Sequence, residues 1–196
     1  MRTRLSLAVL FAFTAAPCVA QTIQNPTLRR AQQAFDNLDY RQALTVEQAA
    51  LRERLTGYER ARAYELLGFT YSGMDSILRG VDAFKQVILL EPERELDPTK
   101  TSSKALSAFQ VALTQVLVIR QLHVDSVTFI GGQGAVAVRY TVTQPARVVT
   151  RVVSGQTSLK IDSTVASGQV NIRWPARLPS GDPVPAGDYK DRKSVV

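Results

Sequence analysis

The sequence has very few of the residues that carry out metal and nucleophilic chemistry. Among 196 residues there are one cysteine, one histidine and one tryptophan. A zinc site needs three or four Cys, His or carboxylate ligands, and a nucleophilic triad needs a histidine or another base, so His123 alone supports neither. We therefore expect no enzyme activity, no catalytic residues, no cofactor and no metal site.

The first twenty residues predict a secretory signal peptide. Arg2 and Arg4 precede an apolar stretch from Leu5 to Ala16, and the small residues at Cys18 to Ala20 match a cleavage site. The apolar stretch is shorter than the roughly 20 residues that span a bilayer, so we expect no transmembrane segment after cleavage. Lipidation at Cys18 is the alternative, but Pro17 disfavours it. Cleavage would remove the cysteine, and stability must then come from packed apolar surface without disulfides.

The charge is basic but scattered. There are 24 basic and 17 acidic side chains, and the surplus lies mainly in the second half, as single residues such as Arg139, Lys160 and Arg173. A nucleic-acid interface would cluster its basic residues and interleave them with stacking aromatics. We therefore expect no nucleic-acid partner, and at most a weak attraction to anionic envelope polymers.

The composition changes near residue 120. Ala, Leu, Glu, Arg and Gln dominate before it, whereas Val, Thr, Gly and Ser dominate after it, with alternation in place of helical spacing. The sequence therefore predicts two domains of different class. The expected organisation is a signal peptide at 1–20, a linker at 21–26, a helical domain at 27–119, a β domain at 120–190 and a tail at 191–196.

The helical half contains a repeat pattern. Small and aromatic residues recur at fixed offsets, and Pro92 ends the second helix of the pair. This segment, residues 61–94, resembles a tetratricopeptide repeat, and a weaker copy containing Ala31, Ala43 and Ala50 precedes it. A further helix after Ser102 would cover the exposed side of the second pair. The motif residues are Tyr64, Leu67, Gly68, Tyr71, Gly80, Phe84 and Pro92.

The β half contains several short alternating segments. We expect strands at 124–130, 135–142, 147–153, 157–165 and 169–174, with a turn at Pro145 and a small antiparallel β-sandwich as the fold. Trp174 and the Gly-Asp-Pro-Val-Pro-Ala-Gly-Asp-Tyr segment resemble the immunoglobulin-like (Ig-like) domain of the flagellar hook-capping protein FlgD. The residues that carry this resemblance are Trp174, Gly181, Pro185, Gly187 and Tyr189.

That family's domain closes with one more strand after the tyrosine. Here the residues after Tyr189 are polar, and Asp191 to Val196 match what a sequencing-library adapter encodes when it is translated in frame. We therefore expect a sandwich truncated at its last strand, a non-native or disordered tail at 191–196, and a natural chain that continues further.

These features together predict a binding role. Tetratricopeptide-like hairpins generally bind peptides or partner proteins, so the resemblance implies an exported protein-interaction or scaffolding protein of the bacterial envelope, in the periplasm or at the cell surface. One alternative is a carbohydrate or cell-wall attachment module, which would need exposed aromatics such as Trp174 and Tyr189. Another is a set of accessory domains from a truncated larger enzyme.

Overall fold

The computed structural model describes residues 22–125, 135–154, 157–178, 180–184 and 190–195. Within these ranges the chain forms five helices followed by four strands, so the predicted order of a helical half and a β half is confirmed. The predicted signal peptide lies outside the described residues. The elements are α1 (Pro26–Asp36), α2 (Tyr40–Arg52), α3 (Gly57–Gly73), α4 (Ile77–Leu90), α5 (Ser103–Gln115), β1 (Ile119–Val124), β2 (Val136–Ser154), β3 (Thr157–Trp174) and β4 (Lys190–Val195).

Side-chain caps fix where four of the helices begin, and at α2 the Asp39 carboxylate accepts a hydrogen bond from a backbone N–H group of that helix at 3.1 Å. The Asn25 side chain accepts a hydrogen bond from a backbone N–H group in α1 at 2.8 Å. Ahead of α3, Thr56 and Glu59 form a capping box in which each side chain binds the other residue's backbone N–H group. Ser102 accepts a hydrogen bond from a backbone N–H group in α5 at 3.3 Å. Because the first N–H groups of a helix have no acceptor within it, these contacts stabilise the starts of α1, α2, α3 and α5.

The first two helical hairpins repeat each other. Tyr40 begins α2 and Ile77 begins α4, 37 residues later. Each hairpin turn contains one residue with positive φ, Leu38 at 62° and Asp75 at 58°, which are also 37 residues apart. In each turn the amide that follows donates to a carbonyl oxygen five residues earlier, at 3.0 Å in the first and 2.8 Å in the second. This hydrogen bond is typical of a Schellman helix end, so the two turns share one geometry.

Helix α3 lies at the centre of the helical half. It contacts α1, α2, α4 and α5, and its buried residues lie on two opposite faces. Helix α3 thus connects the first helix, α1, with the last helix, α5. A chain of aromatic contacts runs across the stack from Phe35 to Phe69, Phe84 and Phe109, with ring centroids 6.2, 5.6 and 5.5 Å apart. These rings join both hairpins and α5 in one apolar core.

The sheet is antiparallel and is built around β2. Strand β3 pairs along one edge of β2, while β1 and β4 pair along the other edge, β1 with its first half and β4 with its second half. The sequence predicted a tail at residues 191–196, and the structure instead shows a strand at Lys190–Val195. Pairing with β2 supplies hydrogen-bond partners to backbone groups on this edge of the sheet.

Strands β2 and β3 bend back on themselves. Between Val142 and Ala146, three residues of β2 lie opposite a single residue of β3. The Tyr140 hydroxyl lies 3.4 Å from the Thr150 hydroxyl, although ten residues of straight strand span about 33 Å. The extra residues therefore form a bulge that brings the two halves of β2 face to face. The core between them contains Val138, Tyr140, Val142, Val148 and Ala166.

The predicted turn at Pro145 is wrong. Pro145 lies inside β2 at the bulge, where the register with β3 is interrupted. A proline is tolerated there because it has no N–H group to donate to the ladder. Likewise, the segments predicted as separate strands at 157–165 and 169–174 form the single strand β3.

Polar contacts join the helical half to the sheet. The Thr143 hydroxyl of β2 donates to the Val116 carbonyl and accepts from the Val118 N–H group at 2.9 Å. Gln121 occupies a bulge in β1 with φ 53°, and its N–H group points at the Glu93 carboxylate, at 2.8 and 2.9 Å from the two oxygens. The sheet is therefore hydrogen-bonded both to the end of α5 and to the segment between α4 and α5.

Candidate functional site

The motif residues of the helical half lie where α3 and α4 pack together. A Cβ atom at Gly68 would lie 2.6 Å from the Phe84 ring, and one at Gly80 would lie 3.1 Å from the Ser72 hydroxyl. Leu67 and Phe84 are buried, Tyr64 packs at the edge of the core, and Pro92 follows the end of α4. These glycines permit a close helix approach, so these residues hold the hairpin together.

Tyr71 is a half-buried motif residue near the end of α3. Its hydroxyl lies 3.5 Å from the Gln48 side-chain amide, and the Arg79 guanidinium lies over its ring at 5.8 Å from the centroid. The ring therefore connects α3 with α2 and α4 at the surface of the stack.

Two of the five motif residues of the β half are described. Trp174 is 7% exposed and packs against Val152 and Ala176, and its indole N–H donates to the Arg177 carbonyl at 3.3 Å. Gly181 has φ 92°, a conformation that glycine adopts without strain. Because Trp174 is buried, its ring is not free to stack on a sugar. Pro185, Gly187 and Tyr189 lie outside the described residues.

A partly buried ionic cluster lies between α3 and the segment that follows α4. Arg62 pairs with Glu65 and Glu91, and Arg94 reaches Glu65 at 2.7 Å. The side chains of Arg62 and Glu65 are 13% and 8% exposed. Two guanidinium groups and two carboxylates thus neutralise each other, and their hydrogen bonds fix the 91–94 segment against α3.

This ionic cluster is connected to the sheet through Arg120. The Arg120 side chain is 11% exposed and donates to the Arg94 carbonyl at 3.0 Å, and Glu95 lies 3.8 Å away. Two cavities adjoin this region. One of about 430 Å³ is lined by residues 91–95, and one of about 190 Å³ is lined by Glu95, Leu96, Leu106, Phe109, Gln110, Leu113 and Arg120.

Glu47 is a buried carboxyl group between α2 and α3. Its side chain is fully buried, Thr70 donates to one carboxylate oxygen at 2.6 Å, and the other oxygen has no hydrogen-bond partner among the described residues. Burial raises the pKa of Glu47 to about 7, against the opposing effect of the Thr70 hydrogen bond. At the 37-residue offset, Glu47 occupies the position that Phe84 occupies in the second hairpin. A titratable group therefore stands where the other hairpin has its central aromatic ring.

Asn25 joins three helix ends. Its side-chain amide donates to Glu53 at 2.7 Å, and its backbone N–H donates to Glu59 at 2.7 Å. Hydrogen bonds from Asn25 and Thr27 lower the pKa of Glu53. Hydrogen bonds from the backbone of Thr56 and Asn25 lower the pKa of Glu59. The start of α1, the end of α2 and the start of α3 therefore meet around two ionised carboxylates.

Sequence reasoning missed Glu47, the ionic cluster and the meeting point at Asn25. A signal for the ionic cluster was present, since all eight basic residues between 22 and 84, Arg62 among them, are arginines. Arginine is favoured over lysine where a planar, bidentate group has to bind carboxylate or phosphate. The burial of Glu47 follows from its position only once the 37-residue offset between the hairpins is known, because that offset aligns Glu47 with the buried Phe84.

Neither a membrane span nor a metal site is present in the described part of the chain. No helix among those residues combines the length and apolar character needed to cross a bilayer. Nor do those residues place three or more His, Cys, Asp or Glu side chains where they could hold a metal ion together. Comparison with known proteins gives no match to a family model, to a curated protein or to a solved structure.

Proposed function

We propose that this chain is an exported, non-catalytic protein-binding or scaffolding protein of the bacterial envelope. In this proposal the helical half is a tetratricopeptide-like module and the β half is an Ig-like sandwich. The observation that carries the proposal is the repetition of the helical hairpin at 37 residues, with α3 in contact with both α1 and α5. Repeated hairpins that stack in this way form extended surfaces for partner proteins.

Two further observations support the proposal. The close contacts at Gly68 and Gly80 are those expected when antiparallel helices of such a repeat approach each other. The bend in β2 gives the sheet two facing layers around an apolar core, as a sandwich requires. The carbohydrate-binding alternative loses one of its two aromatic candidates, because Trp174 is buried.

The proposal is tested by capture of partners from envelope extracts on the immobilised mature chain. Val111 on α5 and Val165 on β3 are 43% and 75% exposed, so each can be replaced by aspartate without disturbing a core. We expect Val111→Asp to reduce capture of a protein partner and Val165→Asp to leave it unchanged. Two results would count against a partner site on the helical half. One is that the immobilised chain retains polysaccharide but no protein, and the other is that both variants capture the partner equally.

A further inference from the structure

Five arginines lie around the helix ends that meet at Asn25, and we call this surface the arginine end. In sequence, two of the arginines flank Glu53, one follows Glu59, and two lie about 6 and 7.5 Å along the α1 axis from Asn25. Both glutamates are hydrogen-bonded to Asn25, so these sequence neighbours share one end of the helical stack. The arginine end consists of Arg29, Arg30, Arg52, Arg54 and Arg60.

The five arginines of the arginine end make no ion pairs among the described residues. No ion pair within 4.0 Å connects any of these arginines to an acidic group in the described ranges of the chain. All four carboxylate oxygens of the two nearby glutamates already accept hydrogen bonds from other groups. Glu53 accepts hydrogen bonds from Asn25 and Thr27, and Glu59 accepts them from the backbone of Asn25 and Thr56. Five positive charges beside two negative charges leave a net charge of 5 − 2 = +3 on this surface.

The exposure and chemistry of the arginine end favour a partner that carries phosphate groups. Its arginines are on helix ends and on the connector between α2 and α3, and all except Arg60 are exposed. None of them lines either of the two cavities described above. Guanidinium groups bind phosphate oxygens through two parallel hydrogen bonds, so phosphate headgroups match the chemistry of this surface.

We propose that the arginine end binds the surface of a bilayer that contains anionic phospholipid. The sequence gives a second argument, which rests on the export proposed above. The apolar segment Leu5 to Ala16 is followed by only nine residues before α1, which span at most about 30 Å. While that segment is in a membrane, the arginine end stays close to the lipid headgroups.

Vesicle co-sedimentation of the mature chain tests this inference. A chain beginning at Gln21 contains every described residue and lacks the apolar segment, so the result depends on the folded surface alone. The vesicles are phosphatidylcholine alone, or an equal mixture of phosphatidylcholine and phosphatidylglycerol. We expect binding only to the mixture and a loss of binding at high salt, because surface charges are screened.

A charge-matched pair of variants locates the surface. The triple variant Arg29→Gln, Arg30→Gln, Arg54→Gln should lower the partition coefficient about 100-fold, since each basic residue near an anionic surface contributes about fivefold. The control on the sheet is Arg147→Gln, Lys160→Gln, Arg173→Gln, which removes the same charge from exposed positions. It should change binding less than about threefold. Circular dichroism of each variant serves as the control that its helices are retained.

Three outcomes would overturn the inference. Equal losses in the two triple variants would show that only net charge matters. Equal binding to vesicles of pure phosphatidylcholine and to the mixture would exclude recognition of anionic headgroups. Salt-sensitive binding to soluble polyglutamate or DNA, without binding to the anionic vesicles, would assign the surface to another class of partner. Export is tested separately by N-terminal sequencing of the secreted chain, so its failure is distinguishable from a failure of vesicle binding.

Discussion

Replacing Glu47 by glutamine should remove a pH-dependent loss of stability. A carboxyl group with a pKa raised from 4.5 to about 7 favours the folded state while it is protonated. Its contribution is fully present below pH 4.5, declines as the pH rises, and is lost above the folded pKa of about 7. The full loss is about 3 kcal/mol, of which about 2.5 kcal/mol falls between pH 5 and pH 8.

The assay is urea unfolding followed by circular dichroism at several pH values between 5 and 8. Glu47→Gln keeps the shape of the side chain and an oxygen that can accept from Thr70, but it does not titrate. We expect the free energy of unfolding of the wild-type chain to fall by about 2.5 kcal/mol relative to the variant across this range. The control Glu95→Gln removes a carboxylate that is 72% exposed, and it should follow the wild-type chain.

The reasoning is refuted if the wild-type chain and Glu47→Gln change in parallel with pH. That result would mean that water or a local rearrangement solvates the carboxylate. Glu53 and Glu59 contribute with the opposite sign, because their lowered pKa values make stability fall as the pH drops toward and below 4.5. Measuring the difference between the variant and the wild-type chain cancels their contribution.

Three further substitutions test the packing, the turns and the junction with the sheet. Gly68→Ala places a Cβ atom 2.6 Å from the Phe84 ring and should lower stability by about 1–3 kcal/mol in urea unfolding, whereas Gly57→Ala, which has no neighbouring atom within 4 Å, should not. Leu38→Gly should raise stability by roughly 0.5–1 kcal/mol, because it relieves a positive φ of 62° at a side chain that is 69% exposed; a loss of stability would show that Leu38 makes a needed contact. Thr143→Val removes two hydrogen bonds to the end of the helical half and should lower stability by about 1–2 kcal/mol, with faster amide exchange at the junction; unchanged exchange would contradict this role.

The helical half was predictable because its pattern is local. The spacing of Gly68, Gly80 and Phe84 predicts two closely packed helices, and the structure places these residues at that interface. The sequence could not show that Glu47 is buried, since glutamate is common on helix surfaces and its environment depends on how α2 packs against α3. The sequence also could not show which acidic residues cap helices and which form ion pairs with the arginines.

The strands were harder to delimit. Alternating residues predict extended chain on both sides of Pro145, but alternation alone does not distinguish a turn between two strands from a bulge within one. The difference depends on the partner strand, where a single residue lies opposite three. The contact between Tyr140 and Thr150 forms only because β2 bends. Nothing in the sequence indicates that these two residues, ten apart in one strand, should meet.

The junction at Thr143 and Glu93 has a mechanical consequence. The sheet is attached to the helices through hydrogen bonds to the end of α5, to the segment after α4 and, through Arg94 and Glu65, to the central helix α3. A tension applied to the β half would therefore be distributed over several helices instead of stretching a single tether. A force that a partner exerts on one half of the protein would be transmitted to the other half.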